Sequence, residues 1–297
     1  MTPTPTRRTP AGAAYNDLRN LARRHDRDVA EYLTLYALEG LLARLEASSQ
    51  ATDFVLKGGV LMAAFAARRP TRDIDLRASG FPNDVAECER RMRDIVAVRL
   101  VDGLSFDPSS VRSEAIRDES DYAGVRVHLE ATLASARISI HVDINFGDPI
   151  WPAPEPTQLP RLLGGFVRLL GYPDHMVLAE KIVTAIQRGV ANTRWRDFVD
   201  IESITRHRAI AADDLSRALT TVADHRQANL RPLAEALEGM TETAQPKWLA
   251  WRRRQRLADT TPERFQDLLD RCATFADPVL SGDANGLTWN PDTRHWS

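Results

Sequence analysis

Cysteine is almost missing from this sequence: Cys88 and Cys272 are the only two in 297 residues. They lie far apart without metal-type spacing. Neither a disulfide framework nor a cysteine zinc site is expected, and a reducing cytoplasm is the default setting. Long apolar runs are missing too. None approaches the roughly 20 residues that span a bilayer, so no membrane segment is expected. The first residues are rich in Thr, Pro and Arg and lack the apolar stretch of a secretory signal, so residues 1–12 read as a disordered tail. A strong excess of one charge is absent as well. With 39 basic against 41 acidic residues the net charge is −2, which offers no global attraction to nucleic acid. Basic residues cluster locally instead, at Arg90, Arg91 and Arg93, at Arg194 and Arg196, and at Arg252, Arg253, Arg254 and Arg256. Such a run can be a solvated helix face or a phosphate-binding patch.

What is present is an ordinary globular balance, 43% hydrophobic and 27% charged. Helical spacing of Leu33, Tyr36, Ala37, Gly40 and Leu41 predicts a helix over about 13–47. Phe54-Val55-Leu56 reads as a short strand, broken by Lys57-Gly58-Gly59 into a compact helix from Val60 to Ala67. Asp73-Ile74-Asp75-Leu76 alternates as a half-buried strand does, and a helix follows over about 83–99. Val125 to Leu129 and Ile138 to Phe146 alternate in the same way and read as paired strands. Prolines 152, 154 and 156 mark residues 151–172 as a linker and connection. Beyond it helices are expected over about 173–188, 196–207, 211–223 and 262–276, then an irregular stretch over 277–297. The fold class is therefore α+β, with a mixed sheet domain flanked by helices over 13–150 and a mainly helical domain over 173–297.

Residues i and i+2 of a strand face the same way, so Asp73 and Asp75 project side by side while Ile74 and Leu76 enter the core. Two carboxylates so close repel unless a cation sits between them. A hard divalent ion such as Mg²⁺, with Mn²⁺ as the alternative, suits oxygen ligands and also bridges triphosphate oxygens. Gly58 and Gly59, at a strand-to-helix corner, let backbone N–H groups approach a phosphate. In His141-Val142-Asp143-Ile144-Asn145 the polar residues share one strand face. If that strand lies beside the Asp73 strand, Asp143 becomes a third metal ligand and a general base.

These residues resemble the AbiEii family of nucleotidyltransferase toxins, which includes the MenT toxins, within the polymerase-β-like nucleotidyltransferase superfamily. The resemblance rests on Lys57-Gly58-Gly59, on Thr71-Arg72-Asp73-Ile74-Asp75, and on a block after the linker. That block is Leu178-Ala179-Glu180-Lys181 with Ala185 to Arg188, then Arg194 to Asp200, and the matches run from about Phe54 to Ile201. Each piece is ordinary alone, and the combination is specific. One departure stands at Val60, where the family often carries Ser or Thr and a hydroxyl is therefore missing.

The resemblance implies a nucleotidyltransferase fold and the transfer of a nucleoside monophosphate from an NTP, with pyrophosphate released. It implies a tRNA 3′ end as acceptor, blocked translation, and a cognate antitoxin. The catalytic set it suggests is Asp73, Asp75, Asp143, Lys181 and Asp197, with Asp73, Asp75 and Asp143 on metal. Lys57, Gly58, Gly59, Arg72, Lys181 and Arg188 would bind nucleotide phosphate. Lys181 and Arg188, seven apart, lie on about the same helix face, as do Asp197 and Asp200, three apart. Asp197 and Asp200 can fix Lys181 by an ion pair or position water or the acceptor, with Arg196 in support. Trp195 reads as packing rather than base stacking. A small-molecule or protein acceptor, and a non-catalytic binding module of the same fold, are the competing readings.

Overall fold

The computed structural model describes residues 5–65, 71–116 and 124–297, and its chain divides into two compact units. The first holds residues up to 64, 68–148 and 155–171. It opens with α1 (Pro10–Arg24) and α2 (Val29–Glu46) rather than the single helix expected over 13–47. Two caps explain the difference. Thr9 accepts from the Gly12 N–H to start α1 at a proline, and Asp28 accepts from the Ala30 N–H to start α2 afresh. Residues 10–12 of the expected tail are thus helical, while residues 1–4 lie outside the described residues.

Then come β1 (Phe54–Lys57), a four-residue α3 (Gly58–Leu61), β2 (Asp73–Ala78), α4 (Val85–Ala97), β3 (Leu104–Phe106) and β4 (Arg112–Ile116). The helix expected from Val60 to Ala67 is shorter. After α3 the chain tightens into a 3-10 turn over Met62–Phe65, and Ala66 and Ala67 lie outside the described residues. β5 (Gly124–Leu133) and β6 (Ala136–Asn145) form the expected hairpin, paired along their whole length.

The Pro-rich linker is a correction. Residues 155–171 form a second hairpin, β7 (Glu155–Pro160) on β8 (Phe166–Gly171), within the sheet. The strand order is β3-β5-β6-β2-β1-β8-β7, with β4 also on β5. β7 is therefore an edge strand, where Pro156 and Pro160 break no ladder because one side has no neighbouring strand among the described residues. β1–β8 and β2–β6 are parallel and the other pairs antiparallel, so the sheet is mixed. Leu56, Leu76, Ile144 and Val125 oppose one another across four strands and are all buried. α2, buried on nearly every side, packs on β6 and β8, and α4 packs on α2, β4 and β5.

The second unit holds residues 65–67, 149–154 and 172–297. Its elements are α5 (Asp174–Arg188), α6 (Trp195–Thr205), β9 (Ile210–Ala211), α7 (Ala212–Arg226), α8 (Leu233–Ala236), α9 (Met240–Gln255), α10 (Phe265–Leu280), β10 (Thr288–Asn290) and β11 (His295–Trp296). The stretch expected to be irregular over 277–297 instead ends α10 and pairs β10 with β9 and β11. Pro278 sits in the last turn of α10, where the buried Phe275, Ala276 and Val279 outweigh one lost hydrogen bond. α9 escaped the sequence pattern because Pro246 lies inside it and its apolar residues do not form a regular stripe. Trp195, Phe198 and Trp248 converge on Phe265, with ring centroids 5.0–5.6 Å away, so Trp195 is a packing residue. Among the described residues no helix is long and apolar enough to cross a membrane.

Candidate active site

Backbone register builds the site in the first unit. Lys57 opposes Asp75 across β1 and β2, Asp75 opposes Asp143 across β2 and β6, and Asp143 opposes Arg126 across β6 and β5. Directly opposed side chains lie on one face, so the sheet carries a row of charges ordered plus, minus, minus, plus. The row beside it runs Asp73, His141, His128 on the same face. The strand of Asp143 thus lies beside that of Asp73, and all three carboxylates share a face.

Asp75 carries the strain of this arrangement. Burial, then the neighbouring Asp73 charge, push its carboxyl up to about 6; Asp143 adds to the rise, while Lys57 and the Gly59 N–H oppose it. Gly58 allows the approach. Its φ is +68°, and a Cβ there would lie 1.8 Å from Asp75 Oδ2. The Gly59 N–H is thus turned to a carboxylate, and the four-residue α3 is too short to contribute much dipole to a phosphate. Gly58 and Gly59 thus lie against Asp75 in this structure.

Each neighbour has its own partner. The Thr71 hydroxyl donates to Asp73 Oδ1 at 2.5 Å, and His141 Nε2 lies 3.9 Å from Asp73 Oδ2. Arg126 donates from Nε and Nη2 to the two oxygens of Asp143, both at 2.7 Å. Lys57 Nζ donates to Asp148 Oδ2 at 2.6 Å, and Arg77 Nε reaches the Asp148 carbonyl at 3.1 Å. Arg72 is exposed. Among the described residues no three His, Cys, Asp or Glu side chains are gathered as a preformed metal site. The donor chemistry still suits a hard divalent ion: Asp73, Asp75 and Asp143 crowd one face, and burial together with the neighbouring carboxylate charges raises the Asp75 pKa.

Arg126 and Asp148 were missed by the sequence reasoning. Arg126 sits in an alternating strand in phase with the polar residues of β6, a signal that could have placed it. Asp148 lies three residues past the end of β6 at Asn145 and carries no such signal.

The second unit collects the other expected residues on α5 and α6. Lys181 Nζ donates to Asp197 Oδ1 at 3.0 Å and to Asp200 Oδ2 at 2.7 Å, with all three residues buried. Arg194 Nε lies 2.9 Å from Asp197 Oδ2. The ion pair foreseen for Asp197 and Asp200 is therefore formed. Arg188 is exposed and Arg196 half-buried on the same helices. In the basic run of α9, Arg252 is buried and donates to Thr261 Oγ1 and to the carbonyls of Ala258 and Thr261. Only Arg253, Arg254 and Arg256 of that run are exposed.

A family model described as "Nucleotidyl transferase AbiEii toxin, Type IV TA system" matches residues 40–271. No curated protein matches the chain. Among solved structures, MenT4, a nucleotidyltransferase toxin from Mycobacterium tuberculosis H37Rv, is 19% identical; the match covers 89% of this chain and 98% of that one, at a TM-score of 0.48. JHP933 from Helicobacter pylori is 13% identical over 83% of this chain and 90% of its own, at 0.44. An antigenic nucleotidyltransferase-like protein from Paracoccidioides brasiliensis is 18% identical over 69% and 93%, at 0.40. Likenesses at this level carry no assignment by themselves. The family match, which spans more than half of the chain, does.

Proposed function

The chain belongs to the AbiEii family of nucleotidyltransferase toxins of type IV toxin–antitoxin systems, and from that premise we propose that it moves a nucleoside monophosphate from an NTP to the 3′ end of tRNA, blocking translation in the cytoplasm. Its activity class is nucleotidyl transfer; the family supplies the NTP as substrate and an antitoxin as partner. The observation that carries the residue assignment is the register of Asp75 against Asp143, with Asp73 two residues away on the same face.

In this reading an acceptor hydroxyl oxygen attacks the α-phosphorus, the bond to the β-phosphate oxygen breaks, and pyrophosphate leaves. Asp73 and Asp75 hold divalent metal, Mg²⁺ or Mn²⁺, which when bound supplies charge neutralisation to the phosphates. Asp143 aligns the acceptor hydroxyl or takes its proton, which requires its oxygens to leave Arg126. Lys57 and Arg72 bind phosphate beside the Gly58-Gly59 corner. Lys181 and Arg188 are proposed to meet the charge of the leaving pyrophosphate on family resemblance, with Asp197 and Asp200 orienting Lys181 and Arg196 in support.

Incubation with labelled NTPs, divalent metal and total RNA tests the proposal. The expected product is a labelled band of tRNA size that disappears when the RNA 3′ ends are first oxidised with periodate, and that Asp73→Ala or Asp75→Ala protein fails to make. Label in protein or small molecules alone would replace the tRNA acceptor with another.

A further inference from the structure

We propose that Arg126 is a phosphate-binding residue for the nucleotide, latched onto Asp143 until the carboxylates take up their divalent metal. The inference rests on the metal-site reading above.

Three observations carry it. The first is the fork itself: two parallel contacts of 2.7 Å engage both oxygens of Asp143, so a metal ion and this guanidinium compete for the same atoms. The second is the asymmetry of exposure. The Arg126 side chain is 39% exposed and that of Asp143 14%, so the cation is the partner on the solvent side and the carboxylate the one embedded in the sheet. The third is the electrostatic setting. Besides Asp143, the charges of Glu114 and Asp73 draw the guanidinium toward this face, and Lys57 at the far end of the row is shared with Asp148.

Metal uptake changes that balance. With Glu114 opposite Arg126 and Asp148 on Lys57, the carboxylates of this face outnumber its cations, and a divalent ion held by Asp73, Asp75 and Asp143 would offset most of that excess. Arg126 would then lose both of its Asp143 contacts while staying on the polar face that carries Asp73 and Asp75. A planar guanidinium fork binds phosphate oxygens as readily as carboxylate oxygens. The latch thereby links the two ligands. Metal frees Arg126 for phosphate, and phosphate that captures Arg126 frees Asp143 for metal, so each raises the affinity of the other.

The test is calorimetric and needs no turnover. Mn²⁺ is titrated into wild-type, Arg126→Ala and Arg126→Lys proteins without nucleotide, and inorganic tripolyphosphate is then titrated at saturating Mn²⁺. Arg126→Ala should bind Mn²⁺ alone about tenfold more tightly, because Asp143 is released, and tripolyphosphate about tenfold more weakly, a coupling of ordinary size. Arg126→Lys keeps the charge beside Asp143, protecting the fold, but lacks the fork and should fall between. A structural role would weaken both ligands together. Unchanged or weaker Mn²⁺ binding in a folded Arg126 variant, or unchanged tripolyphosphate binding, overturns the proposal. Wild-type protein and Asp75→Asn separate the two layers. If wild-type Mn²⁺ binding survives Asp75→Asn intact, the metal-site reading has failed, whatever Arg126 does.

Discussion

Replacing Asp75 by asparagine should stabilise the metal-free protein while removing its activity. Asp75 is half-buried beside Asp73 and Asp143, and its carboxyl rises from 3.8 to about 6. A tenfold change in proton affinity corresponds to about 1.4 kcal/mol, so the ionised side chain costs the fold on the order of 2–3 kcal/mol. Asparagine is nearly isosteric, still accepts from the Gly59 N–H, and removes the charge. Lys57 is not orphaned by the change, because its ammonium keeps Asp148 at 2.6 Å.

The sign follows from linkage. The folded pKa is raised, so the cost is fully present above about 6 and fades as pH falls toward the unfolded value near 3.8. Asp75→Asn should therefore be more stable than wild type in EDTA at pH 7.5, with the gap closing by pH 4. At about 2–4 °C per kcal/mol for a domain of this size, a melting-temperature gain of several degrees is expected. Saturating Mg²⁺ should reverse the order, since only wild type gains binding energy from the ion. An Asp75→Asn protein that melts below wild type in EDTA at pH 7.5 would refute the reasoning. It would mean that Lys57 and Gly59 hold the carboxylate more strongly than burial and its acidic neighbours disfavour it.

Metal affinity of the wild-type protein should weaken as pH falls through about 6, where the metal-free Asp75 takes up a proton that the ion must displace; metal titrations across a pH series check this. Gly58→Ala puts a Cβ 1.8 Å from Asp75 Oδ2 on a left-handed backbone, so about 1–3 kcal/mol of stability and roughly 100-fold in rate should be lost, measured by denaturation and turnover. Lys181→Met removes the ammonium shared by the buried Asp197 and Asp200 and should cost about 3–5 kcal/mol. Adding Asp200→Asn should restore much of that stability, and if activity returns as well, Lys181 is structural only. Charge reversal at Arg253, Arg254 and Arg256, sparing the buried Arg252, should weaken tRNA binding and flatten its salt dependence by up to about 0.7–0.9 for each phosphate no longer neutralised. An unchanged slope would leave that face merely solvated.

How much of this was legible depends on the range of the interaction involved. Period-two alternation is local, so Asp73, Asp75 and Asp143 could be placed on polar faces from the sequence alone. That Asp75 opposes Asp143 could not, because it depends on a parallel pairing between strands more than sixty residues apart, which only the folded sheet specifies. The same limit hid Arg126. Its phase in the strand was readable, but its partner is chosen by the register of the hairpin. The proline hairpin of β7 and β8 was misjudged for a related reason: proline is excluded from a sheet only where both edges are bonded, and which strand lies at the edge is a property of topology. The glycine corner shows a different case, a local signal with a second partner that the sequence could not show. Gly58 and Gly59 do mark a close approach of backbone to negative charge, but the charge supplied by the fold is Asp75. A phosphate at that corner must therefore compete with a carboxylate the protein already provides. A metal held by Asp75 would lower that barrier, so phosphate binding in wild type should require metal.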